Sequence, residues 1–197
     1  MPLSIAMPKT AGGKGRGVAV ATDMCVDLLL RGNVRPQFHQ VEQLIEGYEL
    51  EIGGSGNVFA CQMAKLGVAT TIFGTAGQDA FGDHLVARLA SEGVDVSRVR
   101  RTNTMPTGLG VTLTEPRDRA ILTYLGTIDA TLPADLPERP DLVCGHWHVA
   151  SFFLLRSLQH HWPAFLRRAR EHGVTTSLDP NWDPNDRWQG IAEVLPE

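Results

Sequence analysis

The sequence has no long apolar run and no excess of basic residues, and each absence excludes a class of protein. No uninterrupted apolar segment approaches the roughly 18 residues that a membrane span requires. The 18 lysines and arginines stand against 22 aspartates and glutamates, for a net charge of -4. Domains that bind nucleic acid usually carry a basic face. We therefore expect neither a membrane nor a nucleic acid as a partner.

Cysteine is also scarce. The three cysteines, Cys25, Cys61 and Cys144, are odd in number and widely spaced, and no Cys-x-x-Cys pair occurs. This pattern is typical of reduced thiols and predicts a cytoplasmic protein. Residues 1–16 contain proline, glycine and basic residues without the apolar core of a signal peptide, and they are expected to form a flexible tail.

The remaining residues, 17–197, predict one domain in which strands alternate with helices. Strands are expected over 17–21, 70–73, 141–149 and 174–178. Helices are expected over 57–66, after Asp79 and over 157–172, ending at Gly67, Gly93 and Gly173. This alternation indicates a mainly parallel sheet. The expected fold is an α/β three-layer, Rossmann-like sandwich, with a small β lid formed by candidate strands in 34–50 and 108–125.

Many of the polar, potentially reactive side chains of this sequence lie at the carboxyl ends of the predicted strands. In open α/β sheets, ligands bind beyond the carboxyl ends of the strands. Those ends are Thr22–Asp27, Gly74–Gly77, Val149–Ser151 and Asp179–Asp183. Within the first of them, Asp23 is interpreted as a local turn residue, and Asp27 as a candidate ligand.

The most informative motif is Gly53-Gly54-Ser55-Gly56-Asn57, which precedes an apolar helix. It stands in order with several shorter segments: Val26-Asp27-Leu28, Lys65-Leu66-Gly67, Gly77-Gln78-Asp79-Ala80-Phe81-Gly82, Glu92-Gly93-Val94-Asp95, Pro106-Thr107-Gly108 and Ser177-Leu178-Asp179-Pro180-Asn181. Taken together, their order and spacing resemble the ribokinase-like (PfkB) carbohydrate kinases.

The resemblance implies ATP-dependent phosphorylation of a sugar or sugar-like alcohol, with Mg²⁺ bridging the phosphates. It implies that Asp27, Gly53, Gly54 and Asn57 bind the sugar. It implies that Asp179, Asn181 and Asp183 lie in a strand-end loop near the phosphates and Mg²⁺, with a structural turn as the alternative. It also implies a homodimer formed through the β lid. Aspartate, asparagine and close glycine backbone suit a sugar, which needs polar partners and a near approach.

Two features depart from the family pattern. Ser55 and Gly56 stand where other small residues are usual, and Cys25 stands where ribokinase-type members often have asparagine. The family's Gly-Ala-Gly-Asp segment, which supplies an anion hole and the catalytic base, does not occur in the sequence. The expectation is therefore an incomplete kinase domain that holds the substrate-binding part, has no catalytic residue of its own and is inactive alone.

Two other classes of function stay open at this point. One is a non-catalytic sugar-binding module. The other is a dinucleotide-binding domain, which is disfavoured because Phe59 stands where the third glycine of Gly-x-Gly-x-x-Gly belongs.

Two metal-like patterns are interpreted as structural. Cys144, His146 and His148 would share one face of a strand, but no second ligand cluster at zinc spacing follows them. The segment after Asp179 resembles a calcium loop, yet Pro184 occupies the position that needs glycine, and Gly190 stands where the bidentate glutamate belongs. No metal site is therefore predicted from the side chains of this chain alone.

Overall fold

The structure is a computed structural model that describes residues 17–197, so the expected tail over 1–16 lies outside the described residues. Two β-sheets organise this part of the chain. The central sheet has five strands and the second sheet, here called the lid sheet, has four. Among residues 17–197, no helix has the length and apolar character required to cross a bilayer.

The central sheet is entirely parallel, with the strand order β5-β4-β1-β8-β9. Its strands are β1 (Val18–Ala21), β4 (Thr70–Gly77), β5 (Asp95–Thr102), β8 (His146–Ala150) and β9 (Thr175–Asp179). Because all five strands run the same way, their carboxyl ends meet at one edge of the sheet. β1 lies at the centre and is buried along its whole length, as its uninterrupted Val-Ala-Val-Ala sequence predicts.

Helices cover both faces of the central sheet and complete a three-layer α/β sandwich. They are α1 (Ser55–Lys65), α2 (Ala80–Ser91), α3 (Arg156–Gln159), α4 (Trp162–Glu171) and α5 (Ile191–Val194). On one face, Ala60 and Cys61 of α1 and Leu85 and Leu89 of α2 pack in a core that includes Val20. The opposite core contains Trp147 of β8 together with α4 residues, among them Trp162 and Phe165.

The lid sheet has the strand order β3-β2-β6-β7. Its strands are β2 (Cys25–Arg31), β3 (Gly47–Gly53), β6 (Gly108–Thr114) and β7 (Arg119–Tyr124). β2 begins only a few residues after β1 ends, so the chain passes directly from the central sheet into the lid sheet. In the candidate lid segment 34–50, strand structure begins at Gly47, and the preceding residues form a loop.

Some sequence-based boundaries and strands differ from the structure. The helix expected over 157–172 is two helices, because Pro163 has no N–H to donate and fits only the first turn of α4. The strand expected over 141–149 starts at His146 and follows a 3₁₀ turn over Pro140–Leu142. β5 is absent from the predicted strands, since its charged sequence carries no apolar alternation. β2 is absent from them as well, and Asp27, expected in a segment beyond the end of the first central strand, lies within β2.

The N-terminus of α2 illustrates how the two sheets are joined. Asp79 caps the helix by accepting a hydrogen bond from the Gly82 N–H at 2.8 Å. The same carboxylate accepts the Thr107 N–H at 2.7 Å and the Thr107 hydroxyl at 2.8 Å. Since Thr107 directly precedes β6, this one side chain ties the lid sheet to the end of β4.

Candidate functional site

The glycine loop joins β3 of the lid sheet to α1, at the edge where the central strands end. Gly54 has φ 86° and ψ 126°, a combination that residues with a Cβ rarely adopt. A Cβ on Gly54 would lie 2.2 Å from the Asp23 carbonyl oxygen. The loop therefore needs glycine at this position both for its backbone conformation and for its close approach to the segment after β1.

Asp27 lies on β2, in the lid sheet, and is half-buried. It pairs with Gly110 of β6, and its carboxylate fills the space that side chains at Gly53 and Gly110 would otherwise need. A Cβ on Gly53 would lie 2.6 Å from Asp27 Oδ1, and a Cβ on Gly110 would lie 2.4 Å from the same oxygen. Burial raises the pKa of the Asp27 carboxyl, and the positive charge of Arg119 opposes this shift. Two glycines thus make room for a carboxylate that is partly removed from water.

Asn57 lies in the first turn of α1 and is completely buried. Its Nδ2 donates to the Gly53 carbonyl at 2.8 Å and to the Asp23 carbonyl at 3.3 Å, and its Oδ1 accepts from the Thr22 hydroxyl at 3.0 Å. Its carboxamide is therefore committed to the protein. A direct contact of Asn57 with substrate stays a prediction, and these contacts favour an indirect role through the loop.

Asp23 differs from the turn residue expected from the sequence, because it is 3% exposed and lies against the N-terminus of α1. Its Oδ1 accepts the Gly56 N–H at 3.3 Å. Burial raises its pKa, and hydrogen bonds from the Ser151 hydroxyl and from main-chain N–H groups of the loop oppose the shift. The N-cap residue Gly54 has no side chain to cap the helix, and Asp23 supplies this function from outside the helix.

The three residues expected near phosphate follow β9 but have different surroundings. Asp179 is exposed, and its Oδ1 accepts the Asn181 N–H at 3.0 Å. The Asp183 side chain points into its own loop and accepts N–H groups of Asn185, Arg187 and Trp188 at 2.7–2.9 Å. Burial opposes a low pKa for Asp183, but these hydrogen bonds outweigh it and lower the pKa. Asp179 and Asn181 can therefore face a ligand, whereas Asp183 organises the loop.

His146 and His148 share one face of β8, as predicted. Both rings contact the Ser177 hydroxyl of β9, His146 Nε2 at 2.7 Å and His148 Nδ1 at 2.8 Å. Burial lowers the pKa of both imidazoles. Cys144 is buried outside the strand, and no group of three or more metal-ligating side chains occurs within residues 17–197.

A cleft of about 410 Å³ separates the lid sheet from the loops that follow β8 and β9. It is lined by Ile121, Thr123 and Leu125 on one side and by Phe153, Leu154, Arg156, Pro184 and Asn185 on the other. Thr123 pairs with Gly110, which pairs with Asp27, so these three residues belong to the same face of the lid sheet. The Asp27 face of the lid sheet therefore borders a cleft whose other wall is formed by loops at the carboxyl edge of the central sheet.

The chain thus combines a parallel α/β sheet, a lid of β-strands at its carboxyl edge and a glycine loop between them. A model of the pfkB family of carbohydrate kinases matches residues 23–197. The chain therefore belongs to this family.

Characterised relatives agree with this assignment. The chain is 29% identical over 163 residues to 2-dehydro-3-deoxygluconokinase of Bacillus subtilis (strain 168). The aligned segment covers 80% of this chain and 49% of that protein. It is 29% identical over 145 residues to a fructokinase of Salmonella typhimurium, covering 73% of this chain and 47% of the relative. The chain thus spans about half the length of these relatives.

Solved structures support the fold. The crystal structure of fructokinase from Xylella fastidiosa superposes with a TM-score of 0.73 at 20% sequence identity, covering 90% of this chain and 55% of that one. The PfkB protein from Polaromonas sp. JS666 gives a TM-score of 0.72 at 22% identity, covering 87% of this chain and 57% of the other. At these identities the likeness concerns the fold alone.

Proposed function

We propose that the protein takes part in ATP-dependent phosphorylation of a sugar or sugar-like alcohol, and that residues 17–197 carry the sugar-binding part. The observation that supports this most strongly is the half-buried Asp27 carboxylate, held between Gly53 and Gly110 on the lid face that borders the cleft. A carboxylate accepts several hydroxyl hydrogen bonds at once, and the glycines let a sugar ring lie close to the backbone.

In this proposal each residue of the loop has a separate task. Asp27 accepts hydroxyl hydrogen bonds from the sugar, and Gly53 and Gly54 present backbone to its ring. Asn57 holds the loop in position through its bonds to Gly53 and Asp23. The lid sheet excludes water, which would otherwise compete for the phosphoryl group.

ATP and Mg²⁺ are the proposed cofactors, and the donor set at the end of β9 fits them in part. Mg²⁺ is usually held by one or two carboxylates together with substrate phosphates and water. The exposed Asp179 suits such a role, and Asn181 beside it can donate to a phosphate oxygen. Asp183 does not fit as a ligand, because its side chain accepts main-chain N–H groups of its own loop. When bound, ATP supplies the phosphoryl group and Mg²⁺ balances its charge.

The test is a titration of the 197-residue chain with D-fructose, D-ribose and 2-dehydro-3-deoxygluconate, followed by a coupled assay of ADP release. We expect binding of at least one sugar and only background turnover, because the sequence has no Gly-Ala-Gly-Asp segment to supply the base. Failure to bind any sugar of a broad panel would contradict the sugar-binding role. Clear sugar-dependent turnover would show that the base lies within this chain.

The second face of the lid sheet favours self-association. Side chains facing away from the Asp27 face are apolar along all four strands. Val26, Leu50, Ile52 and Leu109 pack in the core with α1 and α2, whereas Tyr48, Leu122 and Tyr124 are 71%, 60% and 53% exposed. We propose that two copies pair through this face, since contiguous exposed apolar surface marks interaction sites.

Sedimentation velocity tests this proposal. The wild-type chain should show a concentration-dependent dimer, and Leu122→Arg should shift it to monomer because the new charge would be buried in the interface. Leu142→Arg is the matched control, since Leu142 is 65% exposed but lies before β8, away from the lid sheet. Equal behaviour of the two variants, or a monomeric wild type, would contradict the proposal.

We also propose a cytoplasmic location. Cys25, Cys61 and Cys144 are free and buried in the structure, and none is paired, which suits a reducing compartment. Fractionation of the source cells with a periplasmic or secreted marker as control would test it.

A further inference from the structure

We infer that Ser151 is a positioning residue whose hydroxyl joins the glycine loop to the loop after β9. This contact fixes the position of the sugar-facing part of the site relative to the phosphate-facing part. This inference rests on the proposed function. The segments it joins are distant in sequence: Asp23 follows β1, Ser55 begins α1 and Asn181 follows β9. Nothing in the sequence patterns around Ser151 indicates this role.

The Ser151 hydroxyl contacts side chains from two distant loops. Ser151 is 0% exposed, and its Oγ lies 2.7 Å from Ser55 Oγ and 3.4 Å from Asn181 Nδ2. Because the Asn181 amide group donates, the Ser151 oxygen accepts from it, and either hydroxyl can donate in the bond between Ser55 and Ser151. The same hydroxyl also opposes the rise that burial causes in the pKa of the Asp23 carboxyl.

The backbone at Ser151 indicates that the hydroxyl is the reason for serine at this position. Its φ is 52°, in the left-handed region where a residue with a Cβ is strained. Glycine would avoid this cost. The turn itself is held by the main chain, because the Ser151 carbonyl accepts the N–H groups of Leu154 at 2.9 Å and Leu155 at 3.1 Å. Removal of the hydroxyl therefore leaves the turn supported.

Both ends of the network reach the candidate site. At one end, Asp23 accepts the Gly56 N–H and so fixes the start of α1. At the other end, the Asn181 N–H donates to Asp179 Oδ1 at 3.0 Å. An unbroken chain of hydrogen bonds thus runs from the glycine loop, through Ser151, to the carboxylate proposed to face Mg²⁺.

The experiment compares wild type with Ser151→Gly in the 197-residue chain. Hydrogen exchange of the Ser55 and Gly56 amides should become about three- to tenfold faster, the change expected for the loss of one hydrogen bond. Affinity for whichever of D-fructose, D-ribose or 2-dehydro-3-deoxygluconate the wild type binds should fall by a similar factor. The denaturation midpoint should change little, because relief of the backbone strain at φ 52° offsets the loss of the buried hydrogen bonds.

Matched variants separate positioning from general stability. Ser91→Ala removes an exposed hydroxyl at the end of α2 and should change neither readout. Asn181→Gly should also accelerate exchange at Ser55 and Gly56, and it serves if Ser151→Gly does not fold. Unchanged exchange at these amides would overturn the inference. Faster exchange that is fully accounted for by a lower denaturation midpoint would overturn it as well. A wild type that binds no sugar would refute the proposed function, whereas the exchange result would still decide this inference.

Discussion

Replacing Gly54 with alanine is expected to lower the free energy of unfolding by about 2–6 kcal/mol and to abolish sugar binding. The backbone at φ 86° and ψ 126° is costly for any residue with a Cβ, by about 1–3 kcal/mol. The new methyl group would also lie 2.2 Å from the Asp23 carbonyl oxygen and 3.0 Å from Asn57 Nδ2, and such overpacking costs about 1–3 kcal/mol more. Urea denaturation measures the stability, and calorimetric titration measures the sugar affinity.

Gly67→Ala provides the matched control. Gly67 ends α1 with φ 80°, but no atom lies within 4 Å of where its Cβ would stand. Its substitution therefore carries only the backbone cost, about 1 kcal/mol, and should leave sugar affinity unchanged. If Gly54→Ala were no more damaging than Gly67→Ala, the close approach of the loop to Asp23 would have no energetic importance.

The helix ends that Asp79 and three glycines mark can be predicted because their signals are local. The sequence predicts that Gly67, Gly93 and Gly173 end helices, and all three have positive φ just after the last turn. It also predicts Asp79 as the cap of α2, and Asp79 accepts the Gly82 N–H. In each case the residue that decides the structure lies within one turn of the element it controls, so one sequence suffices.

The strands are less predictable because their partners are distant in sequence. β2 carries the run Leu28-Leu29-Leu30, yet its pairing with β6 depends on residues far along the chain. β5 carries Arg98, Arg100 and Arg101 and becomes a strand at the edge of the sheet through its pairing with β4. Burial and pairing of this kind reflect tertiary context more than intrinsic preference.

The candidate site shows the same difference between local sequence signals and contacts that depend on the fold. Short motifs identify Asp27 and the glycine loop. The space that the Asp27 carboxylate fills also requires Gly110, which no motif identifies. The sequence around Asp23 suggests a turn residue, and its burial follows from contacts with Gly56 and Ser151 that only the fold creates. Sequence reasoning therefore finds the glycine loop and Asp27, but it misses Gly110 and the buried environment of Asp23, which depend on the fold.

Asp27→Ala is expected to weaken sugar affinity by about ten- to a hundredfold. Hydrogen bonds to a charged group contribute about 1.5–3 kcal/mol, and every 1.4 kcal/mol corresponds to about tenfold in affinity. Within residues 17–197, no protein donor hydrogen-bonds to this carboxylate, which is consistent with an acceptor kept for a ligand. ATP affinity should hardly change, because Asp27 lies on the lid sheet and Asp179 lies at the end of β9. Calorimetric titration of each ligand against wild type and variant is the measurement.

The stability of the isosteric variant Asp27→Asn distinguishes a ligand-binding role from a structural one. The pKa of Asp27 is raised in the folded protein, so the folded state binds this proton more tightly than the unfolded state does. The free energy of unfolding therefore falls as the pH rises from about 3.8 through the folded pKa. At pH 7 the charged carboxylate therefore costs stability. Asp27→Asn should leave the free energy of unfolding unchanged or higher while it weakens sugar binding.

Glu49→Gln is the control for charge, because Glu49 is exposed on the same face of the lid sheet and pairs with Leu29. It should change neither sugar affinity nor its pH dependence, whereas wild-type affinity should fall as the pH drops and Asp27 takes up a proton. A loss of stability in Asp27→Asn with unchanged sugar affinity would identify Asp27 as a structural residue. A carboxylate that opposes folding and has no protein donor within residues 17–197 is the kind of group expected at a binding site, and this pair of measurements tests that expectation directly.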